Sequence, residues 1–273
     1  MLSSILLLTP PNFALAGAFD LASNKFCQVG KSKCVELVIK EMKRRYQPLA
    51  QKCDRDALFA LTYLRTTETF LATLNKIGYE NPAAIIREDA LFAEYYFRAY
   101  DAYHSQKGKV PPAWQVAFDV AQNRACSSAG NLVLGFNAHI QRDLPFVLYE
   151  LYLQGHPVSY ADHNRVNQFL RKVNVVQVAK KFDSTIDDSN QNPQQQFQLI
   201  AQWREGAYRN YERLRDAKDK AVRMRVAAEI EDNAAATAAI LRKAFSYPPG
   251  ADSSQQDAYC QAVQGIKPKG IKV

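Results

Sequence analysis

The chain has 273 residues, 47% of them hydrophobic and 23% charged, a balance that supports a large buried core and excludes disordered, collagen-like and disulfide-miniprotein classes. Its net charge of +8, from 35 basic and 27 acidic residues, is spread thinly except at Lys43, Arg44 and Arg45 and after Ile266. That spread reads as solvated helix faces and a basic tail, which disfavours nucleic acid as a partner and leaves an anionic membrane surface open.

Leu2 to Leu8 form an apolar run that passes Pro10 and Pro11 to Ala14-Leu15-Ala16, a small-residue pattern of the kind a signal peptidase cuts. Residues 1–18 are therefore expected to be a secretory signal peptide, and the protein to be exported to the periplasm or beyond. No Lys or Arg precedes the run, so a hydrophobic arm is the alternative. No later run reaches the roughly 20 apolar residues of a membrane helix. None of the five cysteines (Cys27, Cys34, Cys53, Cys126, Cys260) forms a Cys-x-x-Cys pair, which argues against thiolate metal sites. Export makes disulfides the expectation, with connectivity open, and Cys126 reads as buried or paired rather than nucleophilic.

From Cys34 to Gln47, Val35, Val38, Ile39, Met42 and Tyr46 recur at helical spacing until Pro48. Asp54 is placed to cap a second helix, Arg55 to Ile77, closed by Gly78. Asn81 and Pro82 open a third that carries an aromatic stripe and stops at Gly108 and Pro111-Pro112. A short helix follows from Pro112 to Gln122. After the break at 127–130, a very apolar helix starts near Asn131; it leaves little room for a solvent face and belongs in the middle of the domain. Pro145 is expected to interrupt it, with a kinked or new helix from Phe146 to Leu153. Another helix is expected from Asp162 to Phe182, then a polar Gln-rich surface loop over 183–195. Phe197 to Phe245 reads as a helical hairpin broken near Asp216 or Asn233. No segment alternates as a strand. The expectation is an all-α, single multi-helix domain over 19–247, with a central buried helix, a C-terminal helical hairpin and a tail over 248–273.

His139 and Asp143 stand four apart, which stacks them on one helix face and can clamp a metal. With Asn137 they follow a segment apolar enough to be buried, where an unsatisfied polar group costs about 1–3 kcal/mol. Two readings compete. In the first the cluster grips a ligand; in the second Asp143 caps the helix at Pro145 and His139 donates to a backbone carbonyl. A metal needs further ligands, and Asp89, Glu94 and Asp101 on the third helix are the candidates. His104 and His156 read as surface residues. A mixed His and carboxylate set suits zinc, with manganese or iron as alternatives. Bound water would be the nucleophile, Asp162 its base and Asn137 a further catalytic residue, unless Asp162 is simply an N-cap. There is no phosphate-cradling glycine motif, no serine elbow and no His-Glu-x-x-His. Arg204, in an aromatic and charged stripe with Trp203, Glu205, Tyr208 and Tyr211, reads as part of a core face, with reach to an anionic ligand as its alternative.

Leu91-Phe92-Ala93, Tyr96-Phe97-Arg98-Ala99, Pro112-Ala113-Trp114, Asn137-Ala138-His139-Ile140 with Asp143-Leu144-Pro145, and Asp162 with Arg165-Val166-Asn167 resemble a bacterial family known only as a domain of unknown function. The resemblance covers roughly residues 54–215. It implies that Asp89, Asn137, His139, Asp143, Asp162 and Asn167 belong to the family pattern, whereas His163 departs from it. His139 and Asp143 are also remotely similar to the His-x-x-x-Asp helix of zinc-dependent phospholipases C and single-strand nucleases, where the pair binds metal; this chain lacks the other histidines of those enzymes. The functional expectation is a metal-dependent hydrolase acting on a phosphoester or lipid-like substrate. The alternatives are a small-molecule binding protein or metal-independent cyclase or isomerase using the same cluster, and a helical scaffold without catalysis.

Overall fold

A computed structural model of the chain describes residues 23–184, 186 and 193–263. The expected leader, most of the Gln-rich loop and the lysine-rich end lie outside these residues. In chain order the helices are α1 (Lys25–Gln28), α2 (Ser32–Gln51), α3 (Asp56–Thr73), α4 (Pro82–Ser105), α5 (Pro112–Gln122) and α6 (Ser128–Phe136). A π-helical segment (Asn137–Asp143) follows, then α7 (Leu144–Leu153), α8 (Tyr160–Arg165), α9 (Asn167–Leu170), α10 (Val175–Ala179), α11 (Pro193–Arg215), α12 (Lys220–Phe245) and α13 (Ser254–Val263). Among the described residues the only β pairing is an isolated bridge between Cys126 and Ser246.

Local chemistry sets most boundaries. Asn81 accepts from the N–H of Ala84 and Pro82 takes the first turn, so α4 begins where a cap followed by proline requires. Ser127 caps α6 through the N–H of Gly130, and Asp219 caps α12 through that of Val222. The hairpin thus turns just after Asp216, not at Asn233. Pro48 does not end α2, which runs to Gln51; so close to the C-terminus, proline removes one hydrogen bond and the turn survives. The expected helix from Asp162 to Phe182 is three short ones, with Asn174 capping α10 through the N–H of Gln177.

The central helix behaves differently from expectation. Pro145 does not interrupt it; α6, the π segment and α7 form one continuous rod. Proline cannot donate to the carbonyl of residue 141 and its ring crowds that carbonyl. The turn before it widens instead, and the N–H of Leu144 bonds to the carbonyl of His139, five residues back. This rod is the axis of the fold. α3 packs on α6, α4 and α11 on α7, and α12 crosses α5, α6 and the π segment. The α3 contact is close enough to need glycine at 135, where a Cβ would meet the Phe59 ring at 2.4 Å.

Two disulfides, Cys27–Cys34 and Cys53–Cys260, close the periphery. The second spans 207 residues and ties α13, in what reads from sequence as tail, to the start of α3. Cys126 is free and buried, and burial pushes its thiol up, away from the nucleophilic thiolate.

Candidate functional site

The π segment gathers a knot of buried polar groups. Asp143 is fully buried and accepts from Trp114 Nε1 at 2.8 Å and from Arg142 Nη1 at 2.9 Å, with His139 Nδ1 at 3.0 Å. Arg142 continues the chain outward, its Nε and Nη2 donating to Glu231 Oε1 on α12 at 2.9 and 2.6 Å. Burial disfavours the guanidinium's charge, but Asp143 and Glu231 outweigh it and raise its pKa. Asn137 donates to the Ala234 carbonyl at 2.9 Å and accepts from Gln141 at 2.6 Å, which fastens the rod to α12. Neither reading of this cluster from sequence describes it fully. Asp143 makes no capping bond and His139 touches no backbone carbonyl; each holds the other.

The imidazole lies flat on Phe92, ring centroids 3.4 Å apart, with Tyr63 edge-on at 4.6 Å and Phe59, Tyr96 and Trp114 completing the wall. Burial lowers its pKa despite Asp143, so the ring is held neutral. Its Nε2 is buried without a partner.

The other residues expected at a metal centre lie elsewhere. Asp101 is held by Arg45 through two bonds of 2.6 and 2.9 Å, and Glu94 by Arg98. Asp162 accepts the N–H groups of Glu80 and Asn81, both at 2.8 Å, and Arg165 at 2.8 Å. Burial opposes its ionisation but these donors outweigh it and lower its pKa, and through them Asp162 pins the start of α4 to α8. It is not the cap of α8; Ser159 is. Asp89 opens onto a small cavity, from which Phe92 and Tyr63 divide the imidazole. His163 bonds Arg204 through both ring nitrogens, to its carbonyl at 3.1 Å and its Nη2 at 3.3 Å. His104 pairs with Asp56 at 3.0 Å, and burial raises that carboxyl to about 6. Among the described residues no three His, Cys, Asp or Glu side chains converge as a metal set. Asp143 already accepts from three donors.

Space for a ligand lies on the outer side of the knot. A cavity of about 390 Å³ opens between α4, α7, α11 and α12. Tyr95, Phe146, Tyr149 and Leu214 are among its apolar walls, with Leu153 and Met224 exposed on it. Arg142 and Glu231 bring the knot to this surface, and Glu231 Oε2 is buried without a donor. Glu150 on the wall is occupied by the Tyr95 hydroxyl at 2.7 Å. Arg223 and Lys109 also line the cavity. Arg223 donates only to the carbonyls of Leu214 and Ala217, and among the described residues neither cation has a carboxylate partner. Sequence reasoning named the stretch containing Arg142 but missed Glu231 and Arg223, which carry no spacing signal because the cavity draws on four helices distant in sequence.

An all-α domain built round a continuous α–π–α rod, with a buried polar knot beneath an apolar cavity, is the class the fold and site define. The chain belongs to the family of unknown function DUF5995, whose profile matches residues 35–244. No curated protein and no solved structure matches it.

Proposed function

We propose that the protein binds an amphipathic small molecule, its apolar body in the 390 Å³ cavity and an anionic head against Arg223 and Lys109. The observation that carries this reading is the cavity itself, an apolar concavity with a few convergent polar groups, the usual form of a small-molecule site. Benzene occupies a cavity of about 150 Å³, so a ligand of about 15 heavy atoms suits this one, the size of a medium-chain fatty acid. Arg142, braced between Asp143 and Glu231, gives the cavity a fixed polar wall rather than a mobile one. π-helical segments are frequent at such functional places.

Calorimetry with dodecanoate tests the proposal. Binding should be saturable, lost when Ala228→Trp fills the cavity from the exposed face of α12, and weakened about tenfold in Arg223→Glu. Absence of binding, or equal binding by Ala228→Trp, would remove it.

A metal-dependent hydrolase at His139 and Asp143 is the second reading, supported by the unpartnered Nε2. Its test is stoichiometric zinc, manganese or iron in the purified protein, lost in His139→Ala. We propose in addition that the protein is exported, a reading supported by the apolar N-terminal run and by two disulfides, which persist in oxidising compartments.

A further inference from the structure

On the opposite side of Phe92 from the knot lies a second cavity, of about 70 Å³, between α3, α4, α9 and α11. Its polar lining is Tyr63, Thr66 and Thr67 from α3, Glu88 and Asp89 from α4, and Arg204 from α11. Three of these groups are buried with an atom that lacks any partner: Glu88 Oε2, Asp89 Oδ2 and the Tyr63 hydroxyl. Glu88 is 5% exposed; Asp89 is half-buried as a residue, but its Oδ2 is sealed from solvent. Unmet buried carboxylate oxygens are costly, and here both carboxyl residues line one space.

Charge narrows what can fill that space. Two carboxyls meet one cation, and the Arg204 guanidinium is directed elsewhere, to Asn167 Oδ1 at 3.1 Å and to the carbonyl and Nδ1 of His163 at 2.8 and 3.3 Å. The threonine hydroxyls already donate to backbone carbonyls, Thr66 to Thr62 and Thr67 to Tyr63, and leave only acceptor capacity. The lining therefore offers acceptors, with negative charge once its carboxyls ionise, and suits a compact donor with positive charge. At the roughly 25 Å³ per heavy atom that benzene takes in its cavity, the space admits a molecule of about three heavy atoms.

We propose that the Glu88–Asp89 cavity is a binding site for a small primary ammonium compound, whose N–H donors meet Glu88 Oε2, Asp89 Oδ2 and the Tyr63 hydroxyl. The site is distinct from the large cavity and does not depend on its function. While the cavity lacks a cation, burial raises Glu88 to about 7, and burial together with Glu88 raises Asp89 well above the usual carboxylate range. A bound cation favours the ionised forms, so uptake expels a proton and tightens as pH rises. The other ionisable groups facing Glu88 do not mask this. Asp162 is held ionised by its three donors, His163 is held neutral by burial and Arg204, and burial pushes the Tyr63 and Tyr79 hydroxyls up.

The test is calorimetry of the full chain with ethylammonium chloride at about pH 6 and about pH 8, in two buffers of different ionisation enthalpy. Expected are one site with a Kd on the order of 1 mM, about tenfold tighter binding at the higher pH with proton release, and loss of binding in Glu88→Gln and in Asp89→Asn that retain the helical circular dichroism. Ethanol, the neutral isostere, should not compete. Absence of ethylammonium binding overturns the proposal, as does unchanged binding in both variants or equal binding of ethanol. Binding of sodium alone in place of ethylammonium would mark an inorganic cation site and also overturns it.

Discussion

Phe92 separates two buried polar regions that treat their carboxylates in opposite ways. On one face Asp143 has three donors, from Trp114, Arg142 and His139. On the other, Glu88 and Asp89 each keep a buried oxygen with none. In the first region the central carboxylate is saturated and only His139 Nε2 and Glu231 Oε2, at its edges, lack a partner; in the second the carboxylates themselves are open. A conspicuous pattern, His-x-x-x-Asp, thus marks a carboxylate already met by three donors, while an unremarkable Glu-Asp pair marks carboxylates with vacant bonding capacity.

The contrast is broken most strongly at Asp143. Asp143→Ala leaves Trp114 Nε1 and Arg142 short of their acceptor in the core, where unpartnered buried groups of this kind cost on the order of 3–5 kcal/mol. Urea unfolding should register that loss; a change under about 1 kcal/mol would show the knot to be dispensable.

Next comes the pH dependence of the open region. Glu88 titrates near 7 when folded against its ordinary 4.5. Between those values the folded state keeps a proton the unfolded chain has released, so the stability Glu88 contributes falls as pH rises through the window and levels off above it. At 1.36 kcal/mol per unit, this is on the order of 3 kcal/mol. Glu88→Gln should flatten the slope and be the more stable protein at about pH 8; an unchanged slope in the variant would show that Glu88 is already satisfied.

The smallest effect is expected at the residue the sequence makes most prominent. His139→Phe keeps an aromatic ring on Phe92 and gives up one of three contacts to Asp143. Its unfolding free energy should move by about 1 kcal/mol or less. A much larger loss would mean that the imidazole, not the arginine, holds the knot together.

These cases show what the sequence could carry. Helix starts were legible where a local cap followed by proline decides them, as at Asn81-Pro82, whereas the Asp219 cap went unread; the central burial of the rod followed from its unbroken apolar run. The effects of Pro48 and Pro145 were misjudged because proline's consequence depends on how much helix follows and whether the preceding turn can widen. Asp162 lies three residues after the real cap, Ser159, and besides Arg165 its partners are backbone N–H groups some eighty positions away. Glu88 and Glu231 were invisible because α4 is buried on most of its circumference and the cavity walls assemble only in three dimensions.

The central claim, that a ligand enters beside the knot and not within it, is tested most directly by a crystal structure of the protein with 12-bromododecanoate. The account predicts an anomalous bromine signal inside the cavity between Phe146 and Leu214, with His139 still stacked on Phe92. A bromine or carboxylate lodged against His139 Nε2, or a cavity left without ligand at saturating concentration, would contradict it.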